Sequence, residues 1–415
     1  MNTQNEKIAM PRDFWMVVAG QIISLFGNAL LRFALPLYLL RETGSAAIFG
    51  AVSAVSFIPM IFSALLGGVM ADCVNKRNIM VVLDSVTALI TVATALCVGK
   101  VSPAFLVAVA LLLFYAIAGA YQPAVSASIP ALVSGPGILR GNAVINMVST
   151  LASLLGPVLG GVAYAVWGLV PVLWVCAGCF AASAILEIFI QIPHTPQQVR
   201  GRFWNAAFAD LGKSWRYVST QNRALLPVLG LLLLVNMVLS AVLMVGIPLA
   251  VVENLGQSDA SLGLAQSAMG LGGLFGSVLA GALAGRLRLQ NGYLSLAGCA
   301  LAVAVLGVAV LPGLPAALGF GCVVAASFVS MAAASVLSIQ MLGAVQQQVP
   351  QALMGKVMAG ITAAANCAMP LGQLAYGLLF EKASASLVFF GAALLGLLLA
   401  LLAKPALTRF ATATA

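Results

Sequence analysis

Long apolar stretches alternate with short polar ones along almost the whole chain. A helix needs about 20 apolar residues to cross a bilayer, and twelve stretches reach that length. They lie at approximately 14–40, 46–71, 79–99, 103–124, 143–166, 170–192, 224–251, 259–285, 291–311, 315–342, 356–380 and 386–407. They lack the alternation of apolar and polar residues typical of strands, and lipid offers no partner to an open backbone. The pattern therefore predicts an all-α integral membrane protein with twelve transmembrane helices.

The composition agrees with a protein embedded in lipid. Hydrophobic residues make up 62% of the 415 residues and charged residues only 7%, whereas a soluble domain has about 25% charged residues. The net charge of +9 comes from single basic residues scattered between the apolar stretches. We therefore expect the lipid bilayer as a partner and no nucleic acid. His194 is the only histidine, so no metal site is expected, and nothing indicates a cofactor.

The basic residues are unevenly divided between the two sides of the membrane. If the amino terminus is cytoplasmic, the outside segments hold only Arg41, Lys100 and Lys382, and Arg32 lies within a stretch. The other fifteen of the 19 lysines and arginines fall in the inside segments, as the positive-inside rule requires. The pattern predicts a multi-pass protein of the inner (plasma) membrane with both termini in the cytoplasm.

A polar segment at 193–223 divides the stretches into two sets of six. We expect a bundle at 1–192, a cytoplasmic linker at 193–223 and a second bundle at 224–415. Within the linker, apolar residues at helical spacing predict an amphipathic helix on the membrane surface. A disordered linker is the alternative.

The two halves carry the same landmarks. Residues 34–37 read ALPL and residues 246–249 read GIPL, 212 positions later. Gly68 and Pro157 recur as Gly281 and Pro370, each 213 positions later. The constant offset indicates a duplication, hence two pseudo-symmetric six-helix bundles with a substrate path between them.

Four short segments indicate a family. Residues 68–77 read GVMADCVNKR and resemble the G-x-x-x-D-x-x-G-R-(R/K) loop after the second span of the major facilitator superfamily. Residues 156–161 read GPVLGG and resemble the G-P-x-x-G-G common in that family's drug and proton antiporters. SASIPALV at 126–133 and LRGNAVIN at 139–146 are similar to its macrolide-efflux and enterobactin-exporter branch. Asn75 replaces a glycine of the loop, and asparagine tolerates a left-handed backbone, so we expect the turn to be kept.

The loop after the second stretch is predicted to be a conformational latch. Asp72 would sit at a helix C-terminus, where a negative charge is unfavourable. It should therefore contact Lys76, Arg77 or the positive N-terminal end of another helix, such as the eleventh near Lys356 in the other half. The predicted latch residues are Gly68, Asp72, Lys76, Arg77, Asp84 and Lys356. A charged loop that only sets the topology is the alternative.

The fifth stretch is predicted to be a gating helix. Gly156, Gly160 and Gly161 allow close helix packing, and Pro157 bends the helix. The same residues would also suit any crowded helix interface.

Few polar residues lie within the apolar stretches, and these are the candidates for a substrate cavity. The resemblance implies that the first, fourth, seventh and tenth spans line it. The candidates are Asn28, Arg32, Tyr115, Tyr121, Gln122, Asn236, Ser240, Ser327, Ser330 and Met331. Arg32 would attract an anionic or electron-rich group, or else it would snorkel outward.

Asp84 and Glu187 are the membrane-embedded carboxyls and hence the candidates for proton coupling. Asp84 has a second interpretation, as a latch residue paired with Arg77 or Arg140. Both acids lie close to the cytoplasmic ends of their stretches. Because no carboxyl is placed near the midplane, a purely cationic substrate is not favoured.

Together these features predict a secondary active transporter that exports hydrophobic or amphipathic small molecules, of the drug or macrolide efflux type. Alternating access coupled to protons is the expected mechanism, in a monomer. No GxxxxGK[ST] loop is present, so direct use of ATP is not expected, nor is an enzyme. A siderophore or lysophospholipid transporter and a non-transporting membrane sensor are the alternatives.

Overall fold

The computed structural model describes residues 10–133, 136–193, 219–220, 222, 225–283, 289–349 and 351–412. Within these ranges the chain forms twelve long helices and no strand. They are α1 Arg12–Thr43, α2 Ala46–Cys73, α3 Lys76–Cys97, α4 Pro103–Leu132, α5 Pro136–Trp167, α6 Leu169–Ile188, α7 Leu225–Asn254, α8 Asp259–Ala282, α9 Gly292–Ala309, α10 Ala316–Gln348, α11 Gln351–Lys382 and α12 Ala385–Thr412.

Eleven of these helices are long and apolar enough to cross a membrane. The remaining one, α11, has 32 residues, which is also more than a bilayer requires. The predicted all-α membrane fold with twelve helices is therefore confirmed. Several helices run past their apolar stretches, as α4 does to Leu132, because backbone hydrogen bonds continue a helix where the side chains become polar. The amphipathic helix expected in the linker falls outside the described residues.

The turn between α2 and α3 corrects one expectation from the sequence. Asn75 has φ −59° and its side chain accepts a hydrogen bond from the backbone N–H of Arg77. It is therefore an N-cap of α3 and not a left-handed residue. Asparagine serves both purposes, and only the geometry of the turn distinguishes them.

The helices pack as two similar bundles. In the first bundle the main packed pairs are α1–α5, α1–α6, α2–α4, α3–α4 and α3–α6, and each recurs six helices later in the second bundle. The two bundles meet mainly along α2–α11 and α5–α8, which are related in the same way. The packing reproduces the internal repeat of the sequence.

Among the residues that the structure describes, close contacts between the bundles lie at one end of the molecule. We call the end that carries the α1–α2, α5–α6, α7–α8 and α11–α12 turns the distal end, and the opposite one the proximal end. The largest cluster of buried apolar residues joins the second bundle to Leu37, Leu40, Ala46 and Phe49, from the distal ends of α1 and α2. The structure is thus closed at its distal end.

Candidate substrate cavity and carboxyl cluster

A cavity of about 690 Å³ lies between the bundles. Most of its wall comes from α1, α3, α4 and α5, while Met244, Gln266 and Met369 close it from α7, α8 and α11. A second region of about 440 Å³ adjoins it and shares Ser153, Pro157, Met244 and Gln266. The combined space is large enough for a drug-sized molecule.

The predicted cavity residues fall into two groups. Asn28, Arg32, Tyr115, Tyr121 and Gln122 line the larger region and Met331 lines the smaller one. Asn236, Ser240, Ser327 and Ser330 are not among the lining residues of either region.

The position of those four residues has a simple cause. Asn236 donates to the backbone oxygen of Leu232 in its own helix, and Ser327 and Ser330 are fully buried. A polar residue in an apolar helix can face a neighbouring helix as readily as a cavity, and sequence alone does not give the rotation of the helix about its axis.

Arg32 presents its charge to the cavity. Its guanidinium carbon lies 4.6 Å from the centroid of the Tyr115 ring, in a cation–π arrangement. Tyr115 in turn packs against Phe57, with ring centroids 4.8 Å apart. Among the described residues no carboxylate forms an ion pair with Arg32, so the charge is available to a ligand.

A buried polar group, which we call the carboxyl cluster, joins four helices below Arg32. It consists of Gln21, Ser24, Asp84, Tyr121 and Glu187, all at most 8% exposed. The Tyr121 hydroxyl donates to Glu187 Oε1 at 2.6 Å and accepts from Gln21 Nε2 at 2.9 Å. Ser24 Oγ donates to Asp84 Oδ1 at 3.0 Å. Because Gln21 and Ser24 are three residues apart on α1, they face the same way and bring the two carboxyls around one turn of that helix.

Helix α6 is held against α1 at the same level. Ser183 lies four residues before Glu187 and donates its hydroxyl hydrogen to the backbone oxygen of Gly20 at 3.1 Å. This bond fixes the face of α6 that carries Glu187. The cluster includes Gln21 and Ser24, which the sequence analysis missed; their signal was the three-residue spacing in an otherwise apolar helix.

The cluster is incompletely satisfied. Asp84 Oδ2, Glu187 Oε2 and Gln21 Oε1 have no hydrogen-bond partner among the described residues. The one ion pair within the described ranges is Arg41–Asp259, so neither carboxyl has a basic neighbour there. Buried carboxyls without a cation are costly and mark functional sites in membrane proteins. The free oxygens can take a proton or a donor group of a ligand.

The predicted latch residues are only partly visible. Gly68 and Asp72 lie in the last turns of α2 and Lys356 in the second turn of α11, but their side chains are outside the described part of the chain. Lys76 begins α3. Arg77 donates to Asn78 Oδ1 at 3.1 and 3.2 Å, whereas Asp84 bonds with Ser24. The structure thus does not bring Asp84 and Arg77 together.

The GPxxGG segment of α5 contacts helices of both bundles. A methyl group at Gly156 would collide with Ala29, and one at Gly160 would lie 3.1 Å from Phe33, both on α1. A methyl at Gly161 would lie 2.6 Å from the backbone oxygen of Asp259 on α8. Pro157 also contacts α8, because its backbone oxygen lies against Gly263. Helix α5 therefore packs against α1 of its own bundle and against α8 of the other bundle.

Polar contacts close the distal end. Arg41 and Asp259 form an ion pair of 2.8 Å between α1 and α8. Glu381 of α11 accepts hydrogen bonds from Ser45 Oγ at 3.0 Å and from the Ala47 N–H at 3.1 Å. The second contact places a carboxylate at the N-terminus of α2, where the helix dipole favours it.

Comparison with known proteins gives consistent relationships. The family model of the Major Facilitator Superfamily matches residues 17–322. The chain is 27% identical over 388 residues to the multidrug efflux pump Tap of Mycolicibacterium fortuitum, covering 91% of each chain. It is 24% identical over 188 residues to macrolide efflux protein A of Streptococcus pyogenes, covering 45% of this chain and 46% of that protein. The crystal structure of the nucleoside transporter NupG superposes with a TM-score of 0.76 at 14% identity, over 96% of this chain and 100% of NupG, which supports the fold alone.

Proposed function

Because the chain belongs to the major facilitator superfamily, we propose that it is a secondary active exporter of hydrophobic or amphipathic small molecules, driven by protons. Membership confirms the resemblance seen in the sequence and makes the protein a multi-pass transporter of the plasma membrane. The names of its relatives support drug or macrolide export over siderophore or lysophospholipid transport and over sensing. The observation that carries the proposal is the carboxyl cluster: two buried acids that have no basic partner among the described residues, one of which borders the cavity.

Alternating access would move the two bundles, 1–192 and 224–415, about the cavity, with residues 193–223 as their linker. With both termini in the cytoplasm, the distal end faces outward. The closed distal end then corresponds to the inward-facing state. Export requires the opposite state as well, in which the α2–α11 and α5–α8 contacts separate at the distal end.

In that opposite state the proximal end must close. We assign this role to the latch: Gly68 permits close approach, and Asp72, Lys76 and Arg77 on one bundle meet the start of α11 near Lys356 on the other. The distal end is closed by a contact of the same kind, since the Glu381 carboxylate lies at the N-terminus of α2. Each end would thus have a carboxylate facing a helix start of the other bundle.

Proton coupling is assigned to Asp84 and Glu187. Asp84 lines the cavity and Glu187 does not, yet both surround the same turn of α1. A proton on either carboxyl removes one negative charge from the buried cluster. The Tyr121 hydroxyl is hydrogen-bonded to both Glu187 and Gln21, so a change in the charge of Glu187 would also affect Gln21. Protons would bind to this cluster from the outside in the outward-facing state and leave it to the inside in the inward-facing state.

The test is uptake of the fluorescent drug ciprofloxacin into inside-out membrane vesicles with an imposed pH gradient. We expect gradient-driven uptake that a protonophore abolishes, and at least a tenfold loss in Asp84→Asn and Glu187→Gln, in keeping with the size of general proton-transfer effects. Glu253→Gln is the matched control, since Glu253 is an exposed carboxyl at the end of α7. Wild-type uptake in both cluster variants would remove the coupling role, and uptake unaffected by the protonophore would remove the proton.

A further inference from the structure

Two unlike charges border the larger region of the cavity. The guanidinium of Arg32 is exposed to it and stacks on Tyr115. Asp84 is 2% exposed and lines the same region, and its Oδ2 has no hydrogen-bond partner among the described residues. Neither group has a counter-ion among the described residues.

The charges are too far apart to neutralise each other. Arg32 and Ser24 are eight residues apart on α1, which corresponds to about 12 Å along the helix. Ser24 holds Asp84 Oδ1 at 3.0 Å, so the carboxyl lies at the level of Ser24. The guanidinium and the carboxyl therefore mark two levels of the cavity separated by roughly two helical turns.

The wall between the two charges is mainly aromatic and apolar, although Asn28 also borders the cavity there on α1. Phe57, Met60, Phe114 and Tyr115 line the region from α2 and α4, and Met244 faces them from α7. Flat rings and thioethers accommodate a planar apolar core. The cavity thus has a cationic end, an apolar middle and an anionic end.

We propose that the preferred substrates are zwitterionic amphipaths, with an anionic group at Arg32 and a protonated amine at Asp84 on opposite ends of a flat apolar core. The proposal deepens the exporter function and rests on it. A molecule with only an amine leaves Arg32 without a counter-ion, and one with only a carboxylate leaves Asp84 unpaired. Because unpaired charges are expensive in a low-dielectric site, the molecule that satisfies both should bind best.

This inference changes an expectation from the sequence. Because Asp84 lies near the proximal end of α3, the sequence did not favour a purely cationic substrate and gave no carboxyl for a cationic group of any substrate. The cavity, however, extends down to Ser24 and Asp84, so depth along one helix did not decide whether the carboxyl is reachable.

Ciprofloxacin and two derivatives provide matched probes. The parent carries a carboxylate and a secondary amine at opposite ends of a flat ring system. Its methyl ester retains only the amine charge, and its N-acetyl derivative retains only the carboxylate. Binding is measured by fluorescence titration of the protein in lipid nanodiscs at equal pH on all sides.

We expect the parent to bind about tenfold or more tightly than either derivative, the scale of a lost charge-assisted hydrogen bond. Arg32→Gln should abolish the preference over the ester and retain that over the N-acetyl compound. Asp84→Asn should do the reverse. Lys100→Gln, which removes an exposed charge at the distal α3–α4 turn, should keep both preferences.

The derivatives also show whether each variant is folded. Arg32→Gln should bind the ester, and Asp84→Asn should bind the N-acetyl compound, with wild-type affinity, because each derivative lacks the charge that the substituted residue would contact. Equal binding of all three probes by the wild type, or no detectable binding of the parent, would overturn the proposal. A variant that weakens all probes equally would overturn it too. Since no gradient is present, this outcome is independent of the vesicle test: loss of proton-driven export with the charge preferences intact would contradict only the coupling.

Discussion

Arg41 at the end of α1 and Asp259 at the start of α8 form an ion pair of 2.8 Å across 218 residues of sequence. Arg41 donates through both Nε and Nη2 to the same carboxylate oxygen. Its side chain is 40% exposed and that of Asp259 is 16% exposed. The pair joins the two bundles at the distal end, so its energy contributes only to the state that is closed there.

Removing the pair should favour opening of the distal end by a modest amount. Exposed ion pairs contribute about 0.2–1 kcal/mol, so Arg41→Gln should raise the open fraction by at most about fivefold. The measurement is the rate at which an impermeant maleimide labels Ala46→Cys, a position that is 5% exposed, in a background without the seven native cysteines. Lys100→Gln is the control. An unchanged rate in Arg41→Gln would show that the pair does not hold the bundles together.

Two glycines at equivalent positions should be far more sensitive. Gly50 on α2 and Gly263 on α8 are 213 residues apart, the offset of the internal repeat. A methyl group at Gly50 would lie 2.6 Å from the backbone oxygen of Gln373, and one at Gly263 would collide with the backbone oxygen of Pro157. Overpacking costs about 1–3 kcal/mol, so each alanine variant should increase labelling of Ala46→Cys about tenfold.

The control for these variants is a glycine with free space beside it. Gly178 on α6 and Gly281 on α8 have nothing within 4 Å of the position that an added methyl group would take. Alanine there gains up to about 1 kcal/mol of helix propensity without a collision, so the labelling rate should stay at the wild-type value. If Gly50→Ala and Gly281→Ala behaved alike, the distal closure would not depend on backbone approach.

Neighbouring glycines of α5 should have different effects. Gly161 faces α8 of the other bundle, whereas Gly156 faces Ala29 of its own bundle. Gly161→Ala should therefore open the distal end with little change in unfolding temperature. Gly156→Ala should instead lower the unfolding temperature, for a cost of about 1–3 kcal/mol, and change the labelling little. The same change in both variants would mean that Gly161 and Gly156 do not serve separate contacts, one with the other bundle and one within their own.

The helices could be predicted from the sequence, whereas the partners of their polar residues could not. Apolar length and a constant repeat offset are properties of the chain itself, and they were sufficient for twelve helices in two related bundles. The sequence offers Asp84 two basic partners, Arg77 and Arg140, but in the structure its carboxylate accepts a hydrogen bond from Ser24. That contact exists because α1 and α3 both pack against α4 and α6, an arrangement that no pattern within α3 records.

The conformation of a single turn residue was equally beyond the sequence. Asn75 suits both a left-handed turn and an N-cap, and the structure has the N-cap. Ser330 could face either a cavity or a neighbouring helix, and it is fully buried. Each case depends on a rotation or a dihedral angle that differs between conformations of nearly equal local energy.

The Tyr121 hydroxyl should stabilise the carboxyl cluster, because it is hydrogen-bonded to both Gln21 and Glu187. Tyr121→Phe leaves Gln21 Nε2 and Glu187 Oε1 buried without these partners, and an orphaned buried polar group costs about 1–3 kcal/mol. We expect a lower unfolding temperature in detergent and slower proton-driven ciprofloxacin uptake. Tyr115→Phe is the matched control: it keeps the ring beneath Arg32, and the structure gives its hydroxyl no hydrogen bond among the described residues. Equal unfolding temperatures for the two variants would mean that the two hydrogen bonds of the Tyr121 hydroxyl do not stabilise the cluster, since the comparison removes these bonds and leaves the rest of the cluster in place.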